Sequence, residues 1–106
     1  MSEHEFLGLC EALLDRIETV LDDLDLDLDL QRSGHVLEIV FDDDSRIVVN
    51  GQVPMREIWL ASPAGAHHFR REPDGWIDTR SGSSLSTVLS SAVSRQSGTP
   101  VDVVVG

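Results

Sequence analysis

Four acidic residues, Glu11, Asp15, Glu18 and Asp22, follow one another at steps of four, three and four. On an α-helix that spacing puts them on one face, with neighbouring Cβ atoms about 5–6 Å apart. Asp23, Asp25, Asp27 and Asp29 carry the negative charge past the expected helix end. Like charges at such steps repel, and acids at a helix C-terminus oppose its dipole. A sequence that accepts both local costs points to a use for the charge. Clustered carboxylates are hard oxygen donors, suited to Fe²⁺, Fe³⁺, Mn²⁺, Ca²⁺ or Mg²⁺. An open helix face cannot wrap an ion, so the predicted binding is weak, multiple and poorly selective. The alternative reading is an ordinary solvated helix face.

An EF-hand starting at Asp27 fails. Asp29, Gln31 and Glu38 fall at positions three, five and twelve, but Arg32 stands at position six, where that loop needs Gly. Strand patterns follow it, not a second helix.

A second candidate is Trp59, within Glu57-Ile58-Trp59-Leu60-Ala61. If Ile58 and Leu60 face the core, Trp59 points outward with Glu57 and Ala61 and can anchor a partner. The opposite register would bury it. Trp76, after Asp74-Gly75, reads as core. His67 and His68 are adjacent on a strand, so they point to opposite faces and cannot readily chelate one ion together. Both read as ordinary surface histidines, and His4 as a possible nitrogen donor near the acid stripe. No nucleophile elbow, phosphate-binding glycine loop, CxxC or HExxH is present.

These residues need elements to position them. Ser2-x-x-Glu5 is a capping box. Phe6, Leu9, Leu13, Ile17, Leu21 and Leu24 then recur at helical spacing, which predicts a helix over about residues 3–23. Residues 23–30 alternate Asp and Leu, a strand signal weakened by repulsion among the carboxylates, so part of the run is expected to be loop. Strands are predicted at Val36–Phe41, Arg46–Asn50, Arg56–Ala61, His67–Arg71 and Trp76–Thr79, separated by Asp-, Pro- and Gly-rich turns. Gly51–Pro54 is expected to interrupt the Arg46–Asn50 segment. Ser84 is the expected N-cap of a second helix, terminated by Gly98 and Pro100. This helix is serine-rich and must be held by packing. The tail, residues 98–106, is expected either to lie against the helices or to fray. Short turns imply an antiparallel sheet, and one apolar face per helix implies that both helices cover the same side of it. The expected fold is therefore α+β: a two-layer sandwich of about six strands in one domain spanning residues 1–106.

Charge and composition restrict function. The chain has 106 residues and a formal net charge of −11. Fourteen of the acidic residues, against only Arg16 and Arg32, fall within residues 1–44. Such a field repels nucleic acid and acidic membranes and attracts cations or a basic protein surface. Cys10 is the sole cysteine, so no internal disulfide can form, and a reducing compartment suits it. It borders the apolar stripe and reads as core. The first residues, Met1-Ser2-Glu3-His4-Glu5, lack the pattern of a secretory signal, and the cytoplasm is the expected location.

The segment Asn50-Gly51-Gln52-Val53-Pro54-Met55-Arg56-Glu57-Ile58-Trp59-Leu60-Ala61 resembles the central Asn-x-Gln-x-Pro-x-x-x-Ile/Val-Trp-Leu-Ala/Ser motif of the frataxin family. Leu21-Asp22-Asp23, His68-Phe69, Trp76-Ile77 and Arg80-Ser81-Gly82 are similar to further family segments, so the resemblance spans roughly residues 3–95 and is nearest to the bacterial branch. Departures are Leu26, Leu28 and Leu30 after the acid run and the serines of the second helix. The resemblance implies iron, Fe²⁺ or Fe³⁺, bound weakly and exchangeably on Glu11, Asp15, Glu18, Asp22, Asp23 and Asp25, and less surely on Asp27 and Asp29, with other divalent cations able to compete. It implies a role in iron–sulfur cluster assembly, through contact with a cysteine desulfurase and its scaffold protein. It gives Trp59, with Asn50 and Gln52, the role of partner contact. It implies a monomer without metal that is able to oligomerise with iron. Two functions remain open on this basis: an iron chaperone, or a regulatory module whose docking iron only tunes. Neither is an enzyme.

Overall fold

The computed structural model describes residues 1–105. Ser2 opens the first helix: its Oγ accepts a hydrogen bond from Glu5 N at 3.1 Å, as the capping pattern requires. Helix α1 runs Glu3–Asp22 and buries Phe6, Cys10, Leu13, Leu14, Ile17 and Leu21. Six strands follow: β1 Leu28–Ser33, β2 Val36–Phe41, β3 Arg46–Gln52, β4 Glu57–Ser62, β5 Gly65–Glu72 and β6 Gly75–Asp78. They pair antiparallel in the order of the sequence, so the sheet is an open meander. Helix α2, Leu85–Ser97, follows the last strand. Ser84 Oγ caps its start on Thr87 N, and Gly98 ends it in the left-handed region at φ 73°.

Leu37, Ile39, Ile47, Val49, Ile58, Leu60 and Phe69 lie on one face of the sheet and are all buried, together with Leu85, Leu89 and Val93 of α2. Both helices therefore cover that face, and the expected two-layer α+β sandwich is the observed one.

One boundary left open by the sequence falls within the Asp-Leu run, and another differs from the expected one. The Asp-Leu alternation becomes strand only at Leu28. Before it, Leu24 N bonds back to Leu21 O at 3.1 Å, so the first residues after α1 finish the helix end instead of extending. Strand β3 continues through Gly51 and Gln52, which pair with Ile58 and Glu57. Gly51 is needed there because α1 packs directly on it: a Cβ at this position would lie 2.5 Å from Cys10 Sγ. The break expected at Gly51 is thus a close helix–strand contact, and the turn falls at residues 53–56.

Serines explain how so weak a helix as α2 is held. Ser94 Oγ accepts from Val101 N at 2.9 Å and donates to Val101 O at 3.1 Å. Ser90 Oγ does the same for Val103, at 2.8 and 3.1 Å, and Ser86 Oγ accepts from Val105 N at 3.0 Å. Four helical residues rise about 6 Å, close to the roughly 6.6 Å covered by two extended residues. The serine column thus matches alternate residues of an extended tail, and Val103 and Val105 are buried beneath it.

Candidate functional site

Three of the helix acids meet a cation from the same chain. Arg32, near the end of β1, lies on the helix-covered side of the sheet, where its neighbour Leu37 is core. Its Nη1 donates to Asp15 Oδ1 at 2.7 Å and Glu18 Oε1 at 3.0 Å, and its Nη2 donates to Glu11 Oε1 at 3.0 Å. Its Nε donates to Gly34 O at 3.3 Å. Burial by itself would lower the arginine pKa, but the bonds to Asp15 and Glu18 and their charges outweigh it and raise the pKa. The repulsion expected among these acids is therefore offset by one guanidinium. His35 adds to the same end of the ridge, with Nδ1 3.9 Å from Glu11 Oε2.

The remaining acids are placed differently. Asp22 and Asp23 lie exposed at the end of α1, whose last turn holds no basic residue. Asp25 and Asp27 are exposed in the connection to β1. Leu28 and Leu30 pack against the core, so Asp29 between them points to the opposite face of the sheet and accepts from Gln31 Nε2 at 2.9 Å. The eight acids read as one continuous face are thus two groups: one neutralised in part by Arg32, the other wrapping around the sheet edge. Asp42 and Asp44, which the sequence reading treated only as turn residues, join Asp27 and Asp29 around a shallow cleft of about 260 Å³. Their approach depends on β1 pairing with β2, which sequence spacing does not show. Among the described residues no three His, Cys, Asp or Glu side chains enclose a single ion position. An open acidic surface of this kind presents carboxylate oxygens for exchangeable contacts.

The uncovered face of the sheet carries the second candidate surface. Asn50, Trp59 and His68 are cross-strand neighbours in one row. The Trp59 ring is half-buried and stacks on His68, with centroids 4.2 Å apart and planes at 11°. Its Nε1 donates to Glu57 Oε1 at 3.0 Å, and the buried Glu57 also accepts from Arg70 at 3.4 Å. Asn50 Oδ1 accepts from Gln52 Nε2 at 3.0 Å. Trp59 is therefore on the outward face, and it is fixed in orientation. Trp76 is core, packed edge-on against Phe6.

His67 corrects the reading of both histidines as plain surface residues. It lies on the helix side, and its Nδ1 is 2.7 Å from Asp78 Oδ2. Asp78 is buried and also accepts from Arg80 N at 2.8 Å and Ser81 N at 3.3 Å. Burial pushes its pKa up, but these three donors outweigh burial and hold it below the usual carboxylate range. Strand alternation puts His67 on the same face as the buried Phe69, and the pairing of β5 with β6 supplies the carboxylate.

A single open antiparallel sheet, covered on one side by an acidic first helix and a C-terminal helix, defines the frataxin class of α/β sandwich. A family model described as a frataxin-like domain matches residues 1–99. The iron–sulfur cluster assembly protein CyaY of Janthinobacterium sp. (strain Marseille) is 50% identical, with 95% of each chain covered. The protein of the same name from Ralstonia pickettii is 47% identical over 100% of this chain and 97% of its own. Among solved structures, frataxin from Psychromonas ingrahamii superposes with a TM-score of 0.92 at 33% identity, covering 98% of this chain and 99% of that one. Trimeric yeast frataxin complexed with ferrous iron gives a TM-score of 0.67 at 26% identity, covering 92% and 88%. The chain belongs to the frataxin family, and within it to the bacterial CyaY type.

Proposed function

We propose that this chain takes part in iron–sulfur cluster assembly as an iron-binding protein, carrying Fe²⁺ on the acidic surface that runs from Asp22 to Asp29. The observation that supports this most is that these carboxylates are exposed and, among the described residues, without cationic partners, unlike the upper part of α1. Ferrous iron is cargo in this reading. Open carboxylates hold it weakly enough to give it up. The exposed geometry suits reversible binding, not catalysis. The names of the curated relatives and the ferrous complex of the yeast neighbour agree with it. The test is an anaerobic Fe²⁺ titration of the ¹⁵N-labelled chain. Amide signals around Asp22, Asp23, Asp25 and Asp27 are expected to shift or broaden first, and to do so less in an Asp22→Asn/Asp23→Asn variant. Equal titration of wild type and variant would remove the ridge from the mechanism.

A second reading also has a specific observation behind it. The upper ridge already seats a guanidinium with three charge-assisted bonds, so its shape fits the arginines of a basic partner. With the fixed Trp59 on the sheet, this supports docking on a cysteine desulfurase and its scaffold. A desulfurase assay separates the two readings: modulation without iron, abolished by Glu11→Lys/Asp15→Lys, favours docking, whereas strict iron dependence favours the carrier.

A further inference from the structure

We propose that Arg32 is a tethered cation that keeps the Glu11–Asp15–Glu18 part of the ridge closed to external divalent ions and directs the first ion to the Asp22–Asp29 part. The proposal rests on the ridge being the cation surface at all.

The argument begins with how fully the guanidinium is used. Nη1 serves Asp15 and Glu18, Nη2 serves Glu11, and Nε is held by Gly34 O. These contacts span three successive positions of the helix face that sequence spacing marks out for metal. An arginine cannot leave by losing its proton at any ordinary pH. Its side chain is 19% exposed, whereas those of Glu11 and Asp15 are 58% and 66% exposed, so each bond alone is modest and the hold comes from three of them made at once. Because β1 carries Arg32 on the same chain, the competitor is present at a fixed and high effective concentration, on the order of millimolar or above. A divalent ion reaching this part of the ridge must therefore displace the guanidinium or share carboxylates with it against like-charge repulsion.

No such competitor reaches the other part. Among the described residues Arg32 pairs with Glu11, Asp15 and Glu18, Arg46 with Glu38, and Arg70 with Glu57. None pairs with Asp22, Asp23, Asp25, Asp27 or Asp29. The polarity of cation binding along the ridge is thus set by one residue that the acid pattern itself gives no reason to notice. Displacement of Arg32, by a high cation load or by a competing acidic group, would open a second set of ligands next to the first.

Ca²⁺ added to the full ¹³C,¹⁵N-labelled chain tests this by shifts of the side-chain carboxyl carbons, a diamagnetic readout local to the groups that hold the ion. In the wild type, the first equivalent is expected to shift the carboxyl carbons of the acids within residues 22–29 and to spare those of Glu11, Asp15 and Glu18. In Arg32→Met, which keeps the aliphatic stem, the carboxyl shifts are expected to extend to Glu11, Asp15 and Glu18, with binding there tightened about tenfold, the scale of a few partly exposed ion pairs. Arg32→Lys, which keeps the charge, is expected to stay near the wild-type map. An unchanged map in Arg32→Met would overturn the proposal while leaving the ridge as a cation surface. Carboxyl shifts at Glu11, Asp15 and Glu18 with the first equivalent in the wild type would do the same. A wild type that binds nothing on the ridge while Arg32→Met binds would support Arg32 as the block and refute the carrier reading; binding by neither would refute both. The wild-type Arg32 side-chain Nε–H signal gives a check that needs no variant: it is expected to persist unshifted through the first equivalent, and its early loss would overturn the proposal.

Discussion

Replacing Ser90 with Ala removes one hydroxyl that satisfies both backbone groups of Val103. Each bond contributes roughly 1 kcal/mol net, and more where the abandoned group stays away from water. Val103 itself is buried. Against this loss of about 2 kcal/mol, Ala is better than Ser inside a helix by about 0.5 kcal/mol. The expected net cost is therefore about 1.5 kcal/mol, or a fall in Tm on the order of 5–10 °C for a domain of this size. Ser91→Ala is the control. Ser91 is on the same helix but exposed, and it bonds no tail residue, so its replacement is expected to stabilise by about 0.5 kcal/mol. Urea unfolding followed by fluorescence of the buried Trp76 reads both variants. A Ser90→Ala variant as stable as Ser91→Ala would refute the view that the serine column holds the tail. An intermediate check is available at Val103→Ala, expected to cost about 2–3 kcal/mol by lost burial.

Three other outcomes follow from the same structure. Gly51→Ala is expected to destabilise by about 1–3 kcal/mol, because its Cβ would fall on the sulfur of Cys10, itself fully buried; unfolding midpoints check this, and a Cys10→Ala background should recover part of the loss. Asp78 has its pKa depressed in the folded state, so its contribution is present above the ordinary carboxylate pKa of about 4 and is lost as pH falls through the lower folded value. Stability measured from pH 6 downward should therefore decline less in Asp78→Asn than in wild type below about pH 4, and parallel curves would contradict the assignment. Trp59→Ala is expected to leave the core intact and cost about 1 kcal/mol or less, since the ring is only half-buried and its main contacts are His68 and Glu57. A loss of several kcal/mol would instead mean that Trp59 is a core residue.

Much of this architecture was legible because its signals are local. Ser2 and Ser84 as caps, Gly98 as a helix stop, and the alternation of Leu37, Ile39 and Phe41 each depend on residues within a turn or two. The same locality made the outward direction of Trp59 readable once Ile58 and Leu60 were assigned to the core. Helical spacing alone likewise put Glu11, Asp15 and Glu18 together.

What lay outside its reach is long-range pairing. Spacing places acids on a face but cannot say which basic residue comes back to meet them; only the return of β1 alongside α1 carries Arg32, 17 residues after Asp15, to that face. The β1–β2 pairing alone brings Asp42 and Asp44 to Asp27 and Asp29, and the β5–β6 pairing alone gives His67 its buried carboxylate. Likewise, a serine-rich helix and an apolar tail look weak when read separately, and only their mutual register turns them into a bonded pair. The acidic ridge that the sequence marks out as continuous is therefore divided by tertiary structure, because electrostatic partners are fixed by where strands fold back and not by the period of the helix they approach.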